Sequence, residues 1–388
     1  MAYSTTILNQ LLNLLRGHDF ENAVSAAGAD RYVKHFGAWQ QLVVLLYAQA
    51  SGKDSLRAIQ NGLCAHPEQL YHLGLEQPVA KSTLADANAR RPSAIFETLF
   101  YSLLARCVVL APKHRFRFKN KLYSIDASVI ELCLSLFPWA KFRTRKGALK
   151  LHCVLDHDGN IPAFVVITDA KCHELTVAKA ALSILPDSIY CFDRGYNDFA
   201  WFRHIHDSGA FFVTRAKNNL DYTIAGQQFN SLPKGVIADQ RITLSGPQTR
   251  DAFPQELRQV HYHDEATGCF FEFLTNNFAL SAATIAQIYK SRWQIEAFFK
   301  WIKQNLKIKS FLGTTPNAVM TQIWVAMCYY LLLAYIKFQT NYKASVFYLH
   351  VLVKETLLDR LLLVDLLHLN TRRLHRFRRE SQQLLLQF

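Results

Sequence analysis

Apolar residues recur at helical spacing through the first 110 positions, at Leu8, Leu11, Leu12 and Leu15 and again at Leu42, Leu45 and Leu46. That period predicts amphipathic helices. Asp54 or Ser55 is placed to cap a helix through DSLRAIQNGL. Ser82 or Thr83 is placed to cap another through LADANARR, which stops before Pro92. Two short capped helices around a Gly- and Pro-containing segment fit either a helix-turn-helix variant that reads DNA or an ordinary helical bundle.

The pattern changes near residue 111. In KHRFRFKNK, Lys113, Arg115, Arg117, Lys119 and Lys121 occupy every second position, so an extended backbone would put all five charges on one face. Strands are predicted over Leu122–Cys133, Ala148–Leu155 and Ile161–Thr168, with Asp158-Gly159 as a tight hairpin turn between the last two. A helix over Glu174–Leu185, a strand over Ile189–Phe192, a helix over Asp198–Asp207 and a strand over Phe211–Thr214 follow. This order describes a mixed α/β layer. Turn residues and short alternating runs over residues 220–270 predict a β-rich insertion, and Phe270–Thr275 a further strand. One long helix is expected from Ser281 to about Leu306, then a helical remainder over 316–388.

Composition narrows the class. Half of the 388 residues are hydrophobic and 19% are charged, which suits a large buried core and excludes a disordered chain. Lys and Arg total 44 against 30 Asp and Glu, a net charge of +14, which points to a polyanion or an anionic surface. The eight scattered cysteines form no C-x-x-C and read as buried free thiols in a reducing compartment. The opening MAYSTTILNQLLNLLRG lacks the early basic residue, apolar block and cleavage site of a signal peptide. Ile323–Ile336 is apolar but shorter than the ~18–20 residues of a bilayer span, so it is expected as a buried core helix. No G-x-x-x-x-G-K-[ST] occurs, so ATP is not expected. These readings anticipate a soluble protein with no membrane partner.

Three carboxylates are candidates for chemistry. Asp126 lies within an apolar strand and Asp193 at the end of another, where ligands gather in α/β sheets. A carboxylate there is costly unless paired, hydrogen-bonded or metal-bound. The plainer readings are an exposed strand position for Asp126 and a helix cap for Asp193. Glu296 lies in a more specific setting, because Tyr289, Arg292, Glu296 and Lys303 fall on one helical stripe while Phe298, Phe299, Trp301 and Ile302 take the other side. His152-Cys153 and Cys172-His173 match no standard zinc spacing.

The Tyr289–Arg292–Glu296–Lys303 spacing resembles the Y-(2)-R-(3)-E-(6)-K signature of the DDE transposases of the insertion-sequence-four family. Asp126 in YSIDAS and Asp193 in DRGY match the family's first two acidic motifs. The likeness covers residues 120–215 and 270–315 well and is weaker towards both termini. It implies a ribonuclease-H-like mixed-sheet catalytic core (111–220 and 271–315) with a β-rich insertion (221–270). The flanking regions would be a helical DNA-binding region (1–110) and a helical C-terminal region (316–388). The implied activity is cutting at transposon ends and joining the freed 3′-OH to target DNA, with Asp126, Asp193 and Glu296 holding two Mg²⁺, or Mn²⁺ in their place. Tyr289, Arg292 and Lys303 would contact DNA phosphates, with Lys300 and Arg194 beside them, and an aromatic residue, Trp293 or Trp301, would accept a flipped base. The implied partners are double-stranded DNA at the terminal inverted repeats and the target, with a dimer in the DNA complex. The implied setting is bacterial cytoplasm and, on DNA, the nucleoid. The run 113–121, the group Lys141, Arg143, Arg145 and Lys146, and the arginines 372, 373, 376, 378 and 379 would track phosphate or form solvated faces. A nuclease without strand transfer, or a DNA-binding protein derived from a transposase, is the alternative.

Overall fold

A computed structural model of the chain describes residues 5–15, 18–143, 146–228, 232–305 and 311–368. The helical period of the first 110 residues is realised in α1 (Ile7–Leu15), α2 (His18–Ala26), α3 (Ala38–Ser51), α4 (Leu56–Cys64), α5 (Pro67–Leu70), α6 (Lys81–Arg90) and α7 (Ala94–Leu110). Leu8, Leu11, Leu12 and Leu15 are all buried on α1. Ser55 caps α4, its side chain accepting from Ala58 N. Neither Ser82 nor Thr83 caps α6. That helix starts at Lys81 after Ala80, which makes no side-chain cap. A buried polar knot fixes the far end of α6: Arg91 Nη1 donates to Gln41 Oε1 at 2.7 Å, and Gln41 Nε2 to Asn88 Oδ1 at 2.7 Å.

Residues 111–300 form a second compact unit around one sheet. Its strands are β1 (Leu122–Leu132), β2 (Lys141–Arg143), β3 (Lys146–Asp156), β4 (Ile161–Asp169), β5 (Ile189–Phe192), β6 (Phe211–Arg215), β7 (Tyr222–Gln228), β8 (Val236–Leu244), β9 (Leu257–Asp264) and β10 (Cys269–Thr275). The order is β2-β3-β1-β5-β6-β10-β9-β8-β7, with β4 paired to β3. β1, β5 and β6 run parallel; the other pairings are antiparallel. Across the interval 221–270, β9 pairs with β10 along its length and draws β8 and β7 into the same sheet. The β3–β4 turn takes its positive φ angles at Gly159 and Asn160, one residue later than the Asp-Gly pair predicted.

Helices α8 (Glu174–Ala181), α9 (Phe199–Asp207), α10 (Pro247–Ala252), α11 (Ala282–Ser291) and α12 (Trp293–Asn305) complete the chain to residue 305. One sheet face carries Tyr123, Ile125, Val154, Tyr190, Phe192 and Phe212 against Trp201, Phe202 and Ile205 of α9. The other carries Leu122, Ile189, Cys191 and Val213 against Ile285 and Ile288 of α11. Period-2 alternation thus gives β1 two buried faces, and Asp126 follows Leu122 and Ser124 on the α11 side. The long helix expected from Ser281 is two. At Arg292 the i−4 ladder gives way to i−3 bonds, Arg292 N to Tyr289 O at 3.1 Å and Ile295 N to Arg292 O at 3.0 Å.

The run 111–121 is not a strand, yet its alternation survives. Phe116 and Phe118 stack 5.1 Å apart and pack against the apolar cluster under α11, while Arg115, Arg117 and Lys119 are exposed. Two of the five cations are committed to the fold: Lys113 pairs with Asp158 at 2.9 Å, and Lys121 with Asp156 and Asp158 at 2.7 Å each. Burial pushes the Asp158 carboxyl up, but hydrogen bonds from Lys121, Lys113 and the His114 N–H overcome it and bring it down to about 2.

After Trp301 the chain returns to the first unit, which combines residues 1–110 with 301–388. It adds α13 (Pro316–Gln339), α14 (Val346–Thr356) and α15 (Leu363–His368). α13 has 24 residues and, among the described residues, is the one unbroken helix long and apolar enough to cross a membrane. Its apolar window is 89% buried, as expected of a core helix, and it packs on α7, α3, α6 and α14. All eight cysteines are free; Cys107, Cys153, Cys191 and Cys328 are buried, whereas Cys64, Cys133, Cys172 and Cys269 are exposed, contrary to the expectation that they would be buried. Arg145 and the C-terminal arginines lie outside the described residues, as do the side chains of Lys141, Arg143 and Lys146.

Candidate active site

Asp126 projects from β1 opposite Cys153 of β3, with its side chain 18% exposed. Oδ1 accepts from Ala127 N at 2.8 Å. Burial pushes the carboxyl up to about 6; the Ala127 N–H and Arg292 oppose the rise, and the charges of Asp193 and Glu174 add to it. A buried carboxylate in this position is short of positive charge.

Asp193 follows β5, one strand over from β1. It caps a short turn rather than α9: its Oδ1 accepts from Gly195 N at 2.8 Å, whereas Asp198 caps α9 by accepting from Trp201 N. A Cβ on residue 195 would lie 3.0 Å from Asp193 Oδ1 and press on the carboxylate. Thr214 Oγ1 donates to Asp193 O at 3.3 Å and ties the turn to β6.

Glu296 begins α12, with its side chain 55% exposed. Arg292 joins it to the strand: Nη2 donates to Glu296 Oε1 at 2.5 Å, and Nη1 lies 3.5 Å from Asp126 Oδ2. Burial works against the Arg292 charge, but Tyr289, Glu296 and Asp126 outweigh it, so this guanidinium is held charged more firmly than usual. Arg292 also lies over the Tyr289 ring at 5.6 Å. Burial likewise pushes the Tyr289 phenol up, with the Arg292 charge opposing it.

One guanidinium thus gathers acids from β1 and α12, and Asp193 lies within electrostatic reach of Asp126. Among the described residues, no three His, Cys, Asp or Glu side chains stand close enough together to hold a metal ion. The donor set nevertheless fits a hard divalent cation. It offers carboxylate oxygens alone, and the buried Asp126 carboxyl favours added positive charge, which Arg292 now supplies to it and to Glu296.

The other predicted contacts are dispersed. Arg194 is exposed beside Asp193, its Nη1 donating to Asn218 Oδ1 at 3.3 Å, and Lys300 is exposed on α12. Lys303 belongs to the helical unit. Trp293 is 59% exposed. Trp301 instead packs its ring 4.9 Å from Tyr330. His152 and His173 are built into the fold: His152 Nε2 bonds Thr168 Oγ1 at 2.9 Å, and His173 Nδ1 accepts from Leu175 N at 3.3 Å.

Sequence reasoning missed a cavity of about 270 Å³ beside Glu296, lined in part by Tyr262, Phe271, Phe273, Tyr289 and Trp293. The alternation of Phe271 and Phe273 along β10 was its one visible signal.

A family model for the transposase DDE domain matches residues 117–332, and one for a domain of unknown function, DUF4372, matches residues 3–76. A Sinorhizobium fredii protein named as a transposase, y4zB, is 38% identical over 254 residues, 64% of this chain and 69% of its own. A Geobacillus stearothermophilus protein named as a transposase for insertion sequence element IS5377 is 28% identical over 267 residues, 68% and 69% of the two chains. A Synechocystis protein named as a transposase for insertion sequence element IS4SA is 22% identical over 263 residues, 65% and 70% of the two. The solved piggyBac transposase synaptic complex with hairpin DNA aligns over 95% of this chain and 83% of that chain at 9% identity and TM-score 0.44, too distant to bear on the site.

Proposed function

This chain belongs to the DDE transposase family, of the insertion-sequence-four type, and from that premise we propose that Asp126, Asp193 and Glu296 hold the divalent ions with which it cuts transposon ends. It is a DNA transposase, a metal-dependent enzyme on a ribonuclease-H-like core. The ion proposed is Mg²⁺, with Mn²⁺ able to replace it. Bound there, the ions supply Lewis-acid polarisation of the phosphate and an activated attacking oxygen.

The observation that carries the reading is the Arg292 guanidinium standing on both Asp126 and Glu296, which brings the acid of a central strand and the acid of a distant helix to one point. The reaction has two displacements at phosphorus. Water attacks the scissile phosphodiester, one P–O bond forms as another breaks, and the element ends in a 3′-OH. That hydroxyl then displaces a phosphodiester of target DNA in the same site. Arg292 and Arg194, with Tyr289, Lys300 and Lys303, bind backbone phosphates and hold the strand in line. The exposed Trp293 and the aromatic cavity beside it receive a base unstacked at the cut end.

Residues 1–110 serve as the DNA-binding region, 111–220 and 271–315 as the catalytic core, 221–270 as its β-rich insertion and 316–388 as the helical C-terminal region. The DNA partners are the element's terminal inverted repeats and the target duplex. Joining two ends calls for a dimer in the complex, and the work is done in the bacterial cytoplasm, at the nucleoid.

Asp126→Asn, Asp193→Asn and Glu296→Gln in the full chain test the site. Each is expected to lower Mg²⁺-dependent end cleavage by about a thousandfold while DNA binding persists. Wild-type cleavage by any one variant removes that residue from the site. A precut end assayed for joining separates a transposase from a nuclease.

A further inference from the structure

β6 ends on a cation with apolar neighbours. β5 and β6 run parallel with Cys191 opposite Val213; Asp193 follows the end of β5, and Arg215 is the last residue of β6. The turn carrying Asp193 is pinned there: Asn197 Nδ2 donates to Arg215 O at 2.7 Å, and Thr214 Oγ1 donates to Asn197 Oδ1 at 2.8 Å. Arg215 shares a sheet face with its antiparallel partner Phe273. Its guanidinium lies 4.9 Å from the centre of the Phe271 ring. Phe271 stacks on Phe273 at 5.7 Å and 9°, Phe273 packs on Tyr289 at 5.0 Å, and Arg292 lies over Tyr289 at 5.6 Å. In contact order, three aromatic rings run between two arginines.

The two ends differ. Arg292 is paired with Asp126 and Glu296. Arg215, half-buried, has no carboxylate partner among the described residues; its guanidinium lies over the Phe271 ring and within electrostatic reach of Tyr289. A guanidinium held by a ring and left without an anion keeps its planar fork of donors free, the geometry that grips a phosphate through two hydrogen bonds. We propose that Arg215 is a second phosphate-binding arginine of this site, gripping a phosphodiester of the bound DNA strand on the Asp193 side while Arg292 serves the Glu296 side. The inference rests on the DNA-cutting function proposed above.

The test reads binding, so it stands apart from cleavage. Full-length wild type, Arg215→Ala and Arg215→Lys are titrated with duplex DNA from the ends of the element that encodes this chain. A matched series carries a neutral methylphosphonate at single positions around the cut. Arg215→Ala is expected to bind about tenfold or more weakly and to lose about one from the slope of log affinity against log salt. One methylphosphonate should weaken wild type and leave Arg215→Ala unaffected. Arg215→Lys should restore the slope and only part of the affinity, since it keeps the charge without the fork.

Should Arg215→Ala melt early by circular dichroism, Phe271→Leu replaces it. That variant keeps the charge and removes the supporting ring, and it is expected to blunt sensitivity to the same methylphosphonate. Wild-type affinity, slope and methylphosphonate pattern in Arg215→Ala, or in Phe271→Leu where the first variant does not fold, overturns the proposal. Failure of the underlying function looks different, because wild type itself then makes no metal-dependent cut while the binding comparison still decides Arg215.

Discussion

Removing the charge at Asp126 should make the metal-free protein more stable at alkaline pH. Burial places this carboxyl at about 6 against an ordinary 3.8, a difference of roughly two units, or about 3 kcal/mol. A group whose folded pKa is raised contributes stability fully below its unfolded value, and that contribution is lost as pH climbs through about 6. Asp126→Asn never ionises and escapes the loss. Part of the gain is offset because Arg292 forfeits its 3.5 Å contact with Oδ2 while keeping Glu296. A net gain of about 1–2 kcal/mol is expected, with each kcal/mol worth about 2–4 °C in melting temperature. The assay is a thermal melt in chelator at pH 5 and pH 8. The variant should melt higher than wild type at pH 8, with the gap narrowing at pH 5. A variant that melts no higher than wild type at pH 8 refutes the reasoning, because the Asp126 charge would then be fully compensated by its surroundings.

Three further predictions concern a close approach, a buried ion pair and an exposed basic run. Gly195→Ala would set a Cβ 3.0 Å from Asp193 Oδ1, and the displaced carboxylate should cost about 10–100-fold in single-turnover cleavage with the fold intact by circular dichroism. Arg258 donates Nε and Nη2 to the two oxygens of Asp239 at 2.8 and 2.7 Å in a buried pair; Asp239→Asn removes the counter-charge, leaves Nη1 on the Asn277 and Leu280 carbonyls, and should lower stability by about 3 kcal/mol in urea unfolding. Replacing Arg115, Arg117 and Lys119 together by Ser should flatten the salt dependence of DNA binding by up to about three in log–log slope if all three meet phosphates, and an unchanged slope would make them a solvated face.

The parts of this molecule that local periodicity specifies were legible. Leu122–Leu132, Ile189–Phe192 and α9 fall close to where alternation and helical spacing put them, because burial of one face dictates both. Spacings of three and four likewise set Arg292 beside Tyr289 and Glu296. Contacts made by strand pairing were not legible. Nothing local says that β9 joins β10 and merges the 221–270 interval with the main sheet. The Arg292–Asp126 contact crosses from helix to strand and is equally nonlocal. The commitment of Lys113 and Lys121 to Asp156 and Asp158 also depends on where a remote hairpin turn comes to rest. At Arg292 the tightened turn has no Gly or Pro to announce it.

The most direct measurement is the anomalous scattering of Mn²⁺ in a crystal of the full chain bound to precut end DNA. Ions found between the carboxylates of Asp126, Asp193 and Glu296, with Arg292 turned from Glu296 to a DNA phosphate, are the predicted outcome. Ions bound elsewhere, with the Arg292–Glu296 pair still closed beside the 3′ end, would contradict it.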